Sequence, residues 1–254
     1  MSSTAHQENF LAVDFGGTGT AVGVVNRAGQ ILGRTEFPTR DFVKLGLPEV
    51  FVHEVVSRAK ALVAELGIPS PSRLGIGAPG GNFFTGEVCD SPNLAWRGST
   101  PLAKLLAHVS GWEVRLENDA NASALGESLF GVGPEVTDFV AVTLGTGVGS
   151  GIFVHGQLLR GADGFGGELG HFNIVPDGRH CPCGGAGCLE TYASATGLIR
   201  TVLTGIRNGA SGAGDFDVVG LEADPQSAGK RIAKLARAGN PLARDAFDVA
   251  AKSL

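Results

Sequence analysis

Charge is scarce in this chain: Asp, Glu, Lys and Arg supply 18% of its 254 residues, below the usual quarter. No run of Lys or Arg occurs, and the formal net charge is −5. Broad binding to nucleic acid needs a basic face that displaces counterions, so that class is excluded as a general function. Long apolar runs are missing as well, and none reaches the ~18 residues of a membrane span. The opening stretch MSSTAHQENF lacks the charged and apolar regions of a secretory signal. The expected compartment is therefore a reducing cytoplasm. Cysteine is sparse, at four residues, and clustered cysteines in a chain without a signal read as metal ligands rather than disulfides. The Walker pattern G-x4-G-K-[ST] is also absent.

Glycine is what the chain has in excess. Its 40 glycines are about twice the usual share of roughly 7%. They gather at the ends of apolar runs, which points to backbone that approaches a ligand closely.

Three of the four cysteines, Cys181, Cys183 and Cys188, form a C-x-C-x4-C cluster, with His171 ten positions before the first. Three thiolates and one imidazole match a closed tetrahedral Zn²⁺ site that leaves no position for substrate. His180 adjoins Cys181 and is a rival ligand, while Cys89 stands apart as a bystander. Glu168 and Glu190 bracket the cluster without being needed to fill the metal's shell. The expectation is that zinc braces residues 164–190 and that this loop presents the two carboxylates to something polar.

Hydrophobic patterning predicts an α/β chain. Strands are expected over 11–15, 20–25 and 31–37, an antiparallel meander whose first turn is Gly16-Gly17-Thr18-Gly19. A helix follows over 48–66, opened by Pro48 and stopped by Gly67. Next come a strand over 74–78, a loop over 79–98, and a helix capped by Thr100 and Pro101 that ends near 110. A strand over 114–116 and a helix over 122–130 complete this half. At Phe139 the pattern restarts, with a strand over 139–144, a glycine turn over 145–149 and a hairpin over 151–155 and 158–160. Asp14-Phe15-Gly16-Gly17-Thr18 and Thr143-Leu144-Gly145-Thr146-Gly147 thus occupy the same place in two similar halves. Helices are expected over 194–207, 226–238 and from 241 onward. We divide the chain into an N-terminal α/β domain, 1–118, and a C-terminal α/β domain with the zinc loop, 119–254. The second half lacks the later strands of the first and is expected to be incomplete.

Each motif has a plain reading and a chemical one. A single glycine turn is a tight hairpin, but paired turns after equivalent strands suit phosphate, which backbone N–H groups hold well. Thr18 and Thr146 add hydroxyl donors. Asp14 either caps a turn or helps hold Mg²⁺ through water. Asp119 is either a helix cap or a carboxylate that accepts a proton from an attacking hydroxyl; Asn118 can cap in its place. At a helix N-terminus its charged form is favoured, which makes it a weak base. Asn93 is a turn residue or an amide ligand. Carboxylates and amides gathered around a pocket suit a sugar.

Asp14-Phe15-Gly16-Gly17-Thr18, Glu117-Asn118-Asp119-Ala120-Asn121, Leu144-Gly145-Thr146-Gly147-Val148-Gly149, Gly167-Glu168-Leu169-Gly170-His171 and the run from Cys181 to Glu190 together resemble the ROK family (repressor, open reading frame, kinase). Within it they most resemble the zinc-containing bacterial ATP-dependent glucokinases, over residues 11–196. The resemblance implies the actin-like, ribonuclease-H-like ATPase fold: two α/β domains around a cleft, the second incomplete here. It implies a kinase that uses ATP and Mg²⁺ to phosphorylate the 6-hydroxyl of glucose. A kinase for N-acetylmannosamine, N-acetylglucosamine or fructose is the alternative, because the motifs do not fix pocket shape. An inactive sugar-binding product is another, since family members continue through a Gly-Gly turn beside the adenosine and a final helix. Polyphosphate-using relatives lack the cysteine cluster. The family's repressors carry an N-terminal helix-turn-helix domain, for which the nine or so residues before the first strand leave no place.

By the same resemblance Asp119 is the base, and Asn93, Asn118, Asp119, Glu168, His171 and Glu190 bind the sugar. Gly16, Gly17, Thr18, Gly145, Thr146 and Gly147 form the phosphate-facing turns. His171 serves both metal and sugar through its two ring nitrogens. The implied partners are sugar and ATP, with neither nucleic acid nor membrane, in a homodimer or homotetramer.

Overall fold

The computed structural model describes residues 8–43, 46–89, 96, 98–133, 135–223 and 225–254. Strict alternation builds the first strands. In β1 (Asn9–Phe15) Leu11, Val13 and Phe15 are buried, and β2 (Gly19–Asn26) buries Thr20, Val22, Val24 and Asn26. β3 (Ile31–Pro38) closes the meander. One helical turn, α1 (Arg40–Val43), precedes α2 (Pro48–Leu66). In α2, Pro48 takes the first position, where its missing N–H costs nothing. Gly67, at φ 63°, stops the helix by donating its N–H to the carbonyls of Ala64 and Val63. Phe51, Val52, Val55, Val56, Ala59, Leu62 and Val63 form the buried face.

β4 (Arg73–Ala78) follows, then three very short strands: β5 (Gly81–Asn82), β6 (Glu87–Cys89) and β7 (Ser99–Thr100). These three make a separate small sheet in the order β5-β6-β7, where a loop was expected; strands of two or three residues are too short to show a period. α3 (Leu102–Ser110) has Pro101 at its cap position with no side-chain cap, and Thr100 belongs to β7 instead. β8 (Glu113–Asn118) then runs directly into α4 (Asp119–Phe130).

The main sheet has the order β3-β2-β1-β4-β8, with β1, β4 and β8 parallel. Register aligns Asp14 with Gly77 and Gly77 with Glu117, so the carboxyl ends of three parallel strands stand side by side. In open α/β sheets that end is where ligands bind. Gly77 also lets α4 lie close, since a Cβ there would be 3.2 Å from the Ala122 side chain.

The second meander is β9 (Phe139–Leu144), β10 (Val148–Val154) and β11 (Gln157–Leu158), in the order β11-β10-β9. His155 and Gly156, at φ 52° and 74°, form its two-residue turn, which matches strand twist. A single 3-10 turn covers Leu169–His171. The remaining helices are α5 (Glu190–Ala193), α6 (Ala195–Arg207), α7 (Val218–Ala223), α8 (Pro225–Arg237) and α9 (Pro241–Ser253).

The chain forms two compact units, Met1–Phe139 with Ile152–Gly166, and Val140–Gly151 with Gly167–Leu254. The expected division after residue 118 falls inside the first unit. That unit has an aromatic centre: the Phe15 and Phe51 rings lie 4.3 Å apart and Trp96 stands 5.6 Å from Phe51. The second is held by Leu198, Val202, Ile232, Leu242 and Ala246 from α6, α8 and α9. No helix among the described residues is long and apolar enough to cross a membrane.

Phe51 is fully buried, so Phe51→Ala should lower unfolding stability by about 3–5 kcal/mol, read from urea denaturation.

Candidate functional site

In the first unit β8 runs straight into α4, and Asn118 and Asp119 stand at that junction. Asn118 caps the helix, its Oδ1 accepting from the N–H groups of Ala120 at 2.9 Å and Asn121 at 3.1 Å. Asp119 is thereby the first helical residue rather than the cap, although its Oδ1 also accepts from Ala120 N–H at 2.9 Å. Its surface is open to solvent, yet crowding by surrounding protein raises its pKa above the usual 3.8. The Ala120 N–H opposes that rise and the Asp14 carboxylate adds to it. The helix end taken alone favours the charged form, and here crowding by the surrounding protein outweighs it.

Glu117, one residue earlier, is buried. Its Oε1 accepts from Asn118 N–H at 3.0 Å and from the Asn121 side chain at 3.3 Å. Its Oε2 meets Arg160 Nε at 2.7 Å. The Arg160 guanidinium in turn stands 4.0 Å above the Phe83 ring.

The first glycine turn closes by Gly16 N–H donating to Gly19 O at 3.1 Å. Gly16 has no room for a side chain, since a Cβ would lie 2.8 Å from that carbonyl oxygen. Thr39 ties the turn's carbonyls back: its N–H donates to Thr18 O at 3.0 Å and its hydroxyl to Gly16 O at 2.7 Å. Gly17 is half-buried and Thr18 exposed.

The second unit repeats this construction with different residues. Gly145 N–H donates to Gly147 O at 3.0 Å. Ala195 N–H donates to Gly145 O at 2.9 Å and the Thr196 hydroxyl to Thr146 O at 3.0 Å. Glu190 Oε2 accepts from Val148 N–H at 3.0 Å. Glu168 is exposed at the start of the 3-10 turn, its carbonyl accepting from His171 N–H at 3.1 Å. Asn93 lies outside the described residues.

His171, Cys181, Cys183 and Cys188 come together, with all four ligand atoms within 4.8 Å of one another. Thiolates about 2.3 Å from a tetrahedral zinc lie roughly 3.8 Å apart. The Cys183 and Cys188 sulfurs are 3.7 Å apart, and Cys181 Sγ is 3.7 Å from His171 Nδ1. The donor set therefore fits a metal ion. Burial pushes the Cys181 thiol up to about 12, while the Gly185 N–H lowers the Cys183 thiol. Thiols of such unequal character act together as ligands once a cation compensates them. His180 lies outside the group and bridges to Ala186 instead. Arg179 fastens the loop to the helices, donating to Thr191 O at 2.7 Å, Gly197 O at 3.1 Å and Thr201 Oγ1 at 2.8 Å.

Glu117, Arg160, Thr39 and Arg179 escaped sequence reasoning as site-building residues. Glu117 alone carried a signal, as a member of the Glu117-Asn118-Asp119-Ala120-Asn121 motif.

Arg160→Met leaves Glu117 buried without its partner and should cost about 3–5 kcal/mol, with much of it regained on adding Glu117→Gln, by urea denaturation. Metal analysis of the purified chain should find one zinc per molecule, and Cys188→Ser should abolish it. Raised pKa in the folded state means stability is lost as pH rises through it. Asp119→Asn should therefore raise the melting temperature at pH 7, with the gain vanishing below about pH 4.

The ROK family profile matches residues 10–254. The glucokinase of Thermotoga maritima is 43% identical over 200 residues, covering 78% of this chain and 61% of that protein. The glucokinase of Streptomyces coelicolor is 37% identical over 238 residues, covering 93% of this chain and 72% of that protein. Among solved structures, a ROK family glucokinase from Streptomyces griseus in complex with glucose and AMPPNP superposes with a TM-score of 0.74 at 36% identity, over 96% of this chain and 76% of that one. The chain thus spans about three fifths to three quarters of these relatives. Its paired meanders have the actin-like ATPase architecture of those neighbours. With a match running from β1 through the last helix, the chain belongs to the ROK family.

Proposed function

We propose that this chain belongs to an ATP-dependent glucokinase that transfers the γ-phosphoryl group of ATP to the 6-hydroxyl of glucose. One observation carries the assignment of the base. Asn118 takes the capping duty at the head of α4, which leaves Asp119 only a shared bond to Ala120 N–H through one oxygen, with a raised proton affinity. Asp119 takes the proton of the 6-hydroxyl as that oxygen bonds to the γ-phosphorus and the bond to ADP breaks. A base whose pKa is moved toward the working pH is the better acceptor.

Asn93, Asn118, Asp119, Glu168, His171 and Glu190 bind the sugar. Because Asn118 Oδ1 serves the helix, its amide nitrogen is the group that donates to sugar. Cys181 Sγ faces His171 Nδ1, so Nε2 is the nitrogen turned to a sugar hydroxyl. Gly16, Gly17, Thr18, Gly145, Thr146 and Gly147 form the turns that receive the phosphates, with the Gly16 and Gly145 amides closing the turns and the other amides and the threonine hydroxyls turned to phosphate. Asp14 holds Mg²⁺ through water at the end of β1. Zinc, held by His171, Cys181, Cys183 and Cys188, supplies rigidity and no reactive position. The protein works in the cytoplasm, with glucose and ATP as its small-molecule partners, as a homodimer or homotetramer.

ADP release measured with a panel of sugars tests the reading. Glucose should give the highest kcat/KM; a clear preference for an N-acetylhexosamine or fructose would move the substrate within the class, and sugar binding without ADP release would remove the kinase. Asp119→Asn should lower kcat by at least about 10³-fold while glucose still binds. The acid limb of kcat/KM should lie above the pH expected of an ordinary aspartate.

A further inference from the structure

We infer that Glu190 positions the Gly145–Gly147 turn, so that one carboxylate links sugar occupancy to phosphate occupancy. The sugar and phosphate roles rest on the proposed glucokinase reading; the contact between Glu190 and the turn stands on geometry alone.

Glu190 Oε2 accepts from Val148 N–H at 3.0 Å. A Cβ on Gly147 would lie 2.3 Å from that same oxygen. The carboxylate therefore touches the turn's backbone, and a side chain on Gly147 would displace it. The rest of the turn is held from the same stretch of chain: Ala195 N–H on Gly145 O and the Thr196 hydroxyl on Thr146 O. Residues 190–196 thus hold two of the turn's carbonyls and the N–H that follows it, and Glu190 is the charged residue among them.

β10 is also held by the segment that carries Glu168 and His171. Gly170 lies against Val148, where a Cβ would come within 2.2 Å of the carbonyl oxygen. Ser150 Oγ accepts from Leu169 N–H at 3.1 Å and donates to Gly167 O. Both proposed sugar-binding segments of this unit therefore bear on Val148–Ser150, the backbone that leaves the phosphate turn.

A carboxylate has two acceptor oxygens. With Oε2 committed to the Val148 N–H, Oε1 is the oxygen that accepts from a sugar hydroxyl. Such a bond fixes the carboxylate, and the fixed carboxylate fixes the turn. By reciprocity, whatever sugar does to phosphate affinity, phosphate does to sugar affinity by the same factor.

Amide hydrogen exchange on the full chain tests this without requiring turnover. Peptides covering 143–150 are compared in the wild type, Glu190→Gln and Glu190→Asp, with and without glucose at a concentration shown by calorimetry to saturate each protein. Without sugar, both variants should exchange severalfold faster at 143–150 than the wild type, and unchanged in α8 and α9. Should Glu190→Gln speed exchange throughout the unit, Glu190→Asp, which keeps the charge but withdraws it by one methylene, decides. Glucose should slow exchange at 143–150 in the wild type and not in the variants. Wild-type exchange at 143–150 in both variants overturns the positioning role. Glucose that binds the wild type and leaves 143–150 unchanged overturns the link. If calorimetry finds no glucose binding, the sugar reading fails, and the sugar-free comparison still decides whether Glu190 holds the turn.

Discussion

The constraint on which the first unit turns is the burial of Glu117. A carboxylate with only 7% exposure must be met by donors at both oxygens, because an uncompensated charge is too costly to keep. Its partners come from separate pieces of chain: the Asn118 backbone, the Asn121 side chain and the Arg160 guanidinium. Arg160 brings the segment after β11, and the Phe83 ring beneath it brings the connection between β5 and β6. Asn82 adds a second tie to that segment, donating to Asp163 O at 2.6 Å. The end of the parallel sheet, the small sheet and the exit of the hairpin are thus assembled around one charge. The peptide that leads into Asp119 is among the groups it holds, so the position of the proposed base follows from how that charge is satisfied.

The two glycine turns solve one problem twice. A turn that receives an anion, the role proposed for both, must keep its carbonyl oxygens away from it, since they repel negative charge. Here each turn has two carbonyls tied back by a backbone N–H and a threonine hydroxyl: Thr39 supplies both in the first, and Ala195 and Thr196 share the task in the second. The tying residues lie 21 or more positions from the turns they hold, and they differ between the halves. Repetition at the level of geometry therefore outlasts repetition at the level of residues, which is why the sequence repeat is faint and the structural one plain.

That contrast explains what could be read from the chain. Long elements with a clear period were legible: α2 keeps the bounds 48–66 that Pro48 and Gly67 announced, and β9 keeps 139–144. The His-Cys group was legible because metal ligation selects residue types rather than environments. The small β5-β6-β7 sheet was not, for its strands are too short to carry a period. Arg160 and Thr39 were invisible for another reason. An isolated arginine or threonine gains its meaning from a partner distant in sequence, here Glu117 at 43 residues and Gly16 at 23, and composition holds no trace of such pairs.

Asp119 shows why the direction of a local effect is an unsafe guide to the sum. The head of a helix favours a carboxylate's charged form, and taken alone it makes a weak base. Two features of the fold act the other way. Surrounding protein withdraws water from the carboxylate, and Asp14, brought alongside by the parallel register of β1, β4 and β8, adds a like charge. Neither is a property of the sequence near residue 119; both are consequences of sheet order. Asn118 contributes by satisfying the Asn121 N–H and sharing that of Ala120, so less of the helix end falls on Asp119. The net upward shift opposes folding at neutral pH and suits the proposed role of Asp119 as proton acceptor.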